Sequence, residues 1–192
     1  MRYYYKRLDM RLKLHHVQYV ARAITRDIVN SDFIEIRKDK DSITKIIEQM
    51  LEEDIEKEHD LDEKVNELLE EQESEIEFYK ADYRQLFWLT KKRLANEFGV
   101  ILNNEDRFSD IAHKLLDYLW EEDYVHFTVS DNQVKNLIYN AINRFLQGYE
   151  EADNAVFEKI KHYKRKLIPG TEDYNLVYQR LYEEELVRKG LM

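Results

Sequence analysis

Apolar positions along the chain recur at steps of three and four residues, the period of one face of an α-helix. Val17, Val20, Ala21, Ile24 and Ile28 set the first stripe, which predicts a helix over about residues 11–30; a matching stripe predicts another over about 105–122. A longer stripe runs through Ile138, Ile142, Phe145, Tyr149, Ala152, Val156, Ile160, Tyr163 and Leu167 without losing phase. It predicts one helix from about 131 to 167, roughly 55 Å long at 1.5 Å per residue. The stretch that begins near Asp39 has the same frame, but Asp54, Glu58 and Gln72 fall on its apolar side. It reads either as one helix or as two, broken near Glu58-His59-Asp60 with Asp60 capping the second. Last helices are predicted over about 82–98 and 172–189, closed by Gly99 and Gly190 at the C′ position. Two short β-favouring stretches, 32–36 and 123–127, form a tiny ribbon or serve as extended connections. Ser130 followed by Gln133 has the spacing of a capping box, and Ile168-Pro169-Gly170-Thr171 stops the preceding helix.

These elements occur twice in the same order, 91 residues apart. Without a gap, Val17–Gly99 aligns with Phe108–Gly190; Ala21/Ala112, Asp32/Asp123, Ile47/Ile138, Asp62/Asp153, Tyr83/Tyr174 and Gly99/Gly190 are identical pairs. Apolar character agrees where identity fails, as in Ile24/Leu115, Leu51/Ile142 and Ile76/Leu167. The pattern predicts an all-α protein of two tandem, pseudo-symmetric helical repeats, elongated, with coiled-coil-like pairing of the long middle helices. Residues 1–9 read as a flexible extension or an upstream start before Met10, 10–99 as the first repeat, 100–104 as a linker, and 105–192 as the second repeat. Five residues are too few for freely moving domains, so the halves are expected to pack as one unit.

Composition narrows the function classes. Four Gly and one Pro in 192 residues leave little turn chemistry for a β-sandwich or barrel, and the absence of Cys excludes disulfides, thiolate zinc sites and cysteine nucleophiles. Apolar runs are only a few residues long, as in Leu86-Phe87-Trp88-Leu89. That is far short of the roughly 20 a spanning helix needs, so the expectation is a soluble, cytoplasmic protein outside the membrane. Residues 1–26 carry net +6, residues 27–82 net −14 and residues 83–192 net −2, within a total of −10. The acidic middle would repel a phosphate backbone, which disfavours nucleic acid as a partner.

The run Leu-Ile-Pro-Gly-Thr-Glu-Asp-Tyr at 167–174, with Val177-Tyr178, Leu181 to Leu186 and Arg188-Lys189-Gly190, resembles the C-terminal signature of an uncharacterised bacterial family, domain of unknown function 507. Leu61-Asp62-Glu63-Lys64-Val65 resembles its mid-domain motif. The resemblance covers the chain in tandem, two-copy form. The first copy departs from it, with Phe78-Tyr79-Lys80-Ala81-Asp82-Tyr83 in place of the Pro-Gly turn. The resemblance implies no catalytic residues and no established activity, and no cofactor is expected.

Candidate chemistry is sparse. Glu56 and His59 have the Glu-x-x-His spacing of carboxylate-bridged metal centres in helical bundles, and Asp110 with His113 is a looser version. Neither recurs at the 91-residue offset, where Gln147 and Glu150 replace the first pair and Arg22 replaces His113. Solvated helix-surface histidines are the better account, and no metal or catalytic residue is assigned. Only five Ser are present, none in a nucleophile elbow, and there is no phosphate-binding glycine loop. Two basic clusters are candidate anion or RNA contacts: Arg7, Arg11 and Lys13 beside Tyr3-Tyr4-Tyr5, and Lys161, Lys164, Arg165 and Lys166 near a helix end. Phe87, Trp88, Tyr178 and Tyr182 on the last helices are the candidate protein interface, because Tyr and Trp are favoured there. The sequence thus predicts a non-enzymatic helical interaction module, an adaptor or assembly subunit that binds a partner protein or itself. An RNA- or ribosome-associated factor using 2–26 and 159–166 is the alternative, and a carboxylate-bridged metalloenzyme stands behind it.

Overall fold

A computed structural model describes residues 11–191. The expected extension at 1–9, Arg7 included, lies outside the described residues. The fold is all-α with one small ribbon. A 3-10 turn, Leu14–His16, leads into α1 (Val17–Val29), β1 (Ile34–Ile36), α2 (Lys40–Glu70), α3 (Glu73–Phe78) and α4 (Tyr83–Leu94). Then follow α5 (Asn104–Glu121), β2 (Val125–Phe127), α6 (Asp131–Lys161) and α7 (Glu172–Arg188).

Helix α1 buries the predicted stripe, Val17, Val20, Ala21, Ile24 and Ile28. It packs against both α2 and α6, while α5 packs against both α6 and α2. The long helices α2 and α6 therefore do not form the paired seam expected of them; the shorter first helices supply their apolar partners. One main core draws on both halves, with Ile24, Ile47, Leu115, Ile138 and Ile142 among its members. A smaller cluster of Leu61, Val65, Leu69, Ala95 and Val100 holds α4 to the far end of α2.

Helices α2 and α6 are each 31 residues long and begin 91 residues apart. Strands β1 and β2 pair antiparallel, with Ile34 opposite Phe127, Glu35 opposite His126 and Ile36 opposite Val125. The ribbon is extended by Arg37 N–H donating to the Tyr124 carbonyl (2.9 Å), and Lys38 Nζ donates to the Glu122 carbonyl (2.6 Å). Helix α2 is continuous through Glu58-His59-Asp60. Helix α6 ends at Lys161, short of the predicted 167; His162 is its C-cap and Tyr163 N–H donates to the Ile160 carbonyl (3.1 Å), a tightened last turn.

The predicted stops and starts have identifiable chemistry. Gly99 and Gly190 adopt φ of +65° and +66°. Around each, paired backbone bonds close the end: Val100 N to Ala95 O (2.8 Å) with Gly99 N to Asn96 O (3.2 Å), and Leu191 N to Leu186 O (3.0 Å) with Gly190 N to Val187 O (3.0 Å). These are the two bonds of a Schellman motif. Asp39 caps α2 by accepting from Ser42 N at 2.8 Å. Ser130 is the N-cap of α6 but makes no side-chain cap bond, so the predicted capping box with Gln133 does not form; Gln133 N–H donates instead to the Ser130 carbonyl (2.8 Å).

Candidate functional site

Asp54 and Glu58, the two acids that interrupt the α2 stripe, face inward to two cations. Arg107 stands in the first turn of α5, a turn started by Asn103 accepting from Asp106 N at 3.1 Å. Its guanidinium donates through Nε to Asp54 Oδ2 (2.7 Å), through a terminal nitrogen to the Asp54 carbonyl (3.2 Å), and through the other to Glu58 Oε2. Lys91 comes from α4, fully removed from solvent at 0% exposure. Its Nζ donates to Glu58 Oε1 at 2.8 Å and lies 2.6 Å from Asp62 Oδ1. The second contact is misaligned for a hydrogen bond, which leaves that Asp62 oxygen bound by charge alone. Arg11 reaches Glu58 Oε1 at 2.9 Å and lies over the Trp88 ring, 5.3 Å from its centroid. Three carboxylates and three cations thus join α2, α4, α5 and the N-terminal segment in one neutral cluster.

Burial and ion pairing oppose each other on Glu58, Asp54 and Arg107. Burial alone would raise the Glu58 carboxyl, but hydrogen bonds from Lys91 and Arg107 outweigh it and hold the pKa at about 2. Burial does raise Asp54, against the opposing pull of Arg107. Arg107 is raised because its two acids outweigh its own desolvation. Both Glu58 oxygens are engaged by cations, Oε1 by Lys91 and Arg11 and Oε2 by Arg107.

Ninety-one residues away the same positions hold a different chemistry. Asp54, Glu58 and Lys91 correspond to Phe145, Tyr149 and Tyr182, and Arg107 corresponds to His16. His16 packs edge-on against Tyr149 (4.4 Å between centroids) and Phe145 (5.9 Å), and Tyr149 lies 6.1 Å from Tyr182. Tyr178 donates to Asp153, the counterpart of Asp62. Burial, then the neighbouring His15 and Lys13, lowers His16 to about 3, so the ring is neutral. Burial and Tyr19 push Tyr149 up to about 12, and burial with Asp153 pushes Tyr178 further up. The same inter-helix joint is therefore ionic in one half and aromatic in the other.

The sequence-predicted residues separate accordingly. Tyr178 and Tyr182 are half-buried and stack on each other at 5.7 Å within the α6–α7 packing. Phe87 is half-buried against the smaller cluster. Trp88 is 48% exposed and, with its neighbour Leu89 at 58%, gives α4 an open apolar face. Among the basic candidates, Arg11 is engaged by Glu58 and Trp88. Lys161 pairs with Glu158 (2.6 Å) and covers the Phe157 ring, and Arg165 pairs with Asp173 (3.1 Å). Lys13, Lys164 and Lys166 are exposed. Lys159 pairs at 2.6 Å with Glu185, a buried acid that Arg188 also binds. His59 and His113 lie on the surface beside Glu63 (3.5 Å) and Asp117 (3.6 Å), each one helical turn on. Lys91 and Arg107 were not singled out by sequence; the two acids on an otherwise apolar stripe are the signal that such cations exist.

A family model described as a protein of unknown function (DUF507) matches residues 10–191, running through both halves. No curated protein matches the chain.

Proposed function

The chain belongs to the DUF507 family of proteins of unknown function, and from that premise we propose that it is a non-enzymatic helical interaction module, an adaptor or assembly subunit whose α4 face binds a partner protein. The observation that carries this reading is the exposure of Trp88 and Leu89 side by side on α4. On α7 the corresponding positions are Gln179 and Arg180, so the fold itself does not require apolar residues there. An exposed Trp beside an aliphatic residue, with the Arg11 guanidinium over its ring, has the make-up of an interface anchor. The 91-residue sequence offset pairs α4 with α7, and on this reading the difference between those two helices is where partner choice resides.

Nucleic acid draws less support. Arg11 pairs with Glu58, Lys159 with Glu185, Lys161 with Glu158 and Arg165 with Asp173, while Lys13, Lys164 and Lys166 stay exposed; the net charge of −14 over residues 27–82 is what disfavours a phosphate backbone. No helix of the described residues is long and apolar enough to cross a membrane. The test is affinity capture from the native cell with the wild type beside Trp88→Glu/Leu89→Glu. The expected result is a partner retained by the first and lost by the second, with unchanged helical content. A purified activity abolished by mutating a single acidic or His cluster would overturn the reading.

A further inference from the structure

Two surface features outside the ionic cluster and the α4 face complement each other. The first is a groove between α1 and α6 with a cavity of about 330 Å³. Its rim carries three exposed guanidiniums, Arg22, Arg26 and Arg144, and its floor is apolar, with Ala141, Phe145 and Leu191. Asp27 is the acid within it and bonds to Arg144, so the groove keeps a cationic excess. The fold does not demand this charge: 91 residues away the three arginine positions hold His113, Asp117 and Glu53.

The second feature is the tip of the first half, from the end of α2 through α3. Phe78 and Tyr79 are 79% and 75% exposed, the highest values among the large apolar side chains described, and their rings meet edge-on at 5.0 Å. Exposed glutamates at 70, 71, 73 and 77 lie in the same segment and outnumber its one cation, Lys80. Apolar rings in an acidic segment are what an apolar floor inside an arginine rim accepts. The tip cannot reach its own groove. Arg22 and Arg26 lie beside Thr44, near the start of α2, and the rigid helix carries Glu70 about 39 Å away at 1.5 Å per residue.

We propose that the α1–α6 groove receives the acidic aromatic tip, residues 70–79, of a second copy of this chain. The inference rests on the interaction-module reading and adds to it a partner and a second surface. Sedimentation velocity on the full chain tests it. At low salt the average mass rises with concentration, and it falls back to the monomer near 1 M salt, where screening acts over about 3 Å. Arg22→Glu/Arg26→Glu weakens association about a hundredfold, the effect expected of like charges across an interface. Glu73→Lys/Glu77→Lys weakens it likewise, and mixing the two variants restores association that neither shows alone. All four positions are exposed, so thermal melts of both variants should match the wild type. A chain that stays monomeric at every concentration in low salt, or whose association ignores the arginine reversal, overturns the inference. If such a chain still engages a cellular partner through Trp88 and Leu89, the interaction reading stands without self-docking.

Discussion

Lys91 and Glu58 meet at 2.8 Å inside the protein, and 91 residues on the same two places hold Tyr182 and Tyr149, ring against ring. One packing joint is thus solved by charge in the first half and by aromatic contact in the second. Removing a single partner of a buried ion pair strands the other, at a cost of about 3–5 kcal/mol. Glu58 keeps Arg107 and Arg11 when Lys91 is removed, so Lys91→Ala should cost the low end of that range, about 3 kcal/mol, in urea unfolding. A double-mutant cycle of Lys91→Ala with Glu58→Ala should return a favourable coupling of about 0.5–3 kcal/mol. Additive costs would mean the contact is incidental.

Acid should loosen the two joints in different windows. His16 stays neutral in the folded chain down to about 3 but protonates near 6.5 once unfolded. The unfolded state therefore binds the extra proton between those values, and stability falls as pH drops from 6.5 towards 3. His15, also lowered by burial and Lys13, adds in the same direction. Glu58, held at about 2 against an ordinary 4.5, contributes stability that is complete above 4.5 and lost as pH falls through 2. Melting temperatures between pH 6.5 and 5 should thus decline in the wild type and decline much less in His16→Phe. An unchanged slope in that variant would remove His16 from the account.

Gly99 and Gly190 should be equally intolerant of a side chain. A Cβ at either position meets nothing within 4 Å, so its cost is conformational alone. Holding a non-glycine residue at φ near +65° costs roughly 1–2 kcal/mol. Gly99→Ala and Gly190→Ala should each lose that much in chemical denaturation. A loss at one and not the other would show that the two helix ends are not equivalent in energy.

Legibility in the sequence followed the range of the interaction. Local chemistry was readable: the stripe from Val17 to Ile28 became α1, and Gly99 and Gly190 became the left-handed stops of two Schellman motifs. The 91-residue offset foresaw two strands of one character, and Glu35 opposite His126 shows that they pair with each other. What required tertiary context was missed. The partners of Asp54 and Glu58 are contributed by residues 33 to 53 positions away, which no periodicity reports. The expected seam between α2 and α6 is taken by α1 and α5. Tyr178 and Tyr182 looked like Trp88 in composition, and only packing separates two half-buried rings from one open to solvent.

The most direct test of the interaction reading places a photo-crosslinking amino acid at position 88 and, as an internal control, at the corresponding position 179 on α7. Irradiated in the native cell, the chain labelled at Trp88 should yield a discrete crosslinked partner, and the chain labelled at Gln179 should not. Crosslinks of equal yield at both positions, or none at 88, would contradict the claim that the exposed face of α4 is where this protein does its work.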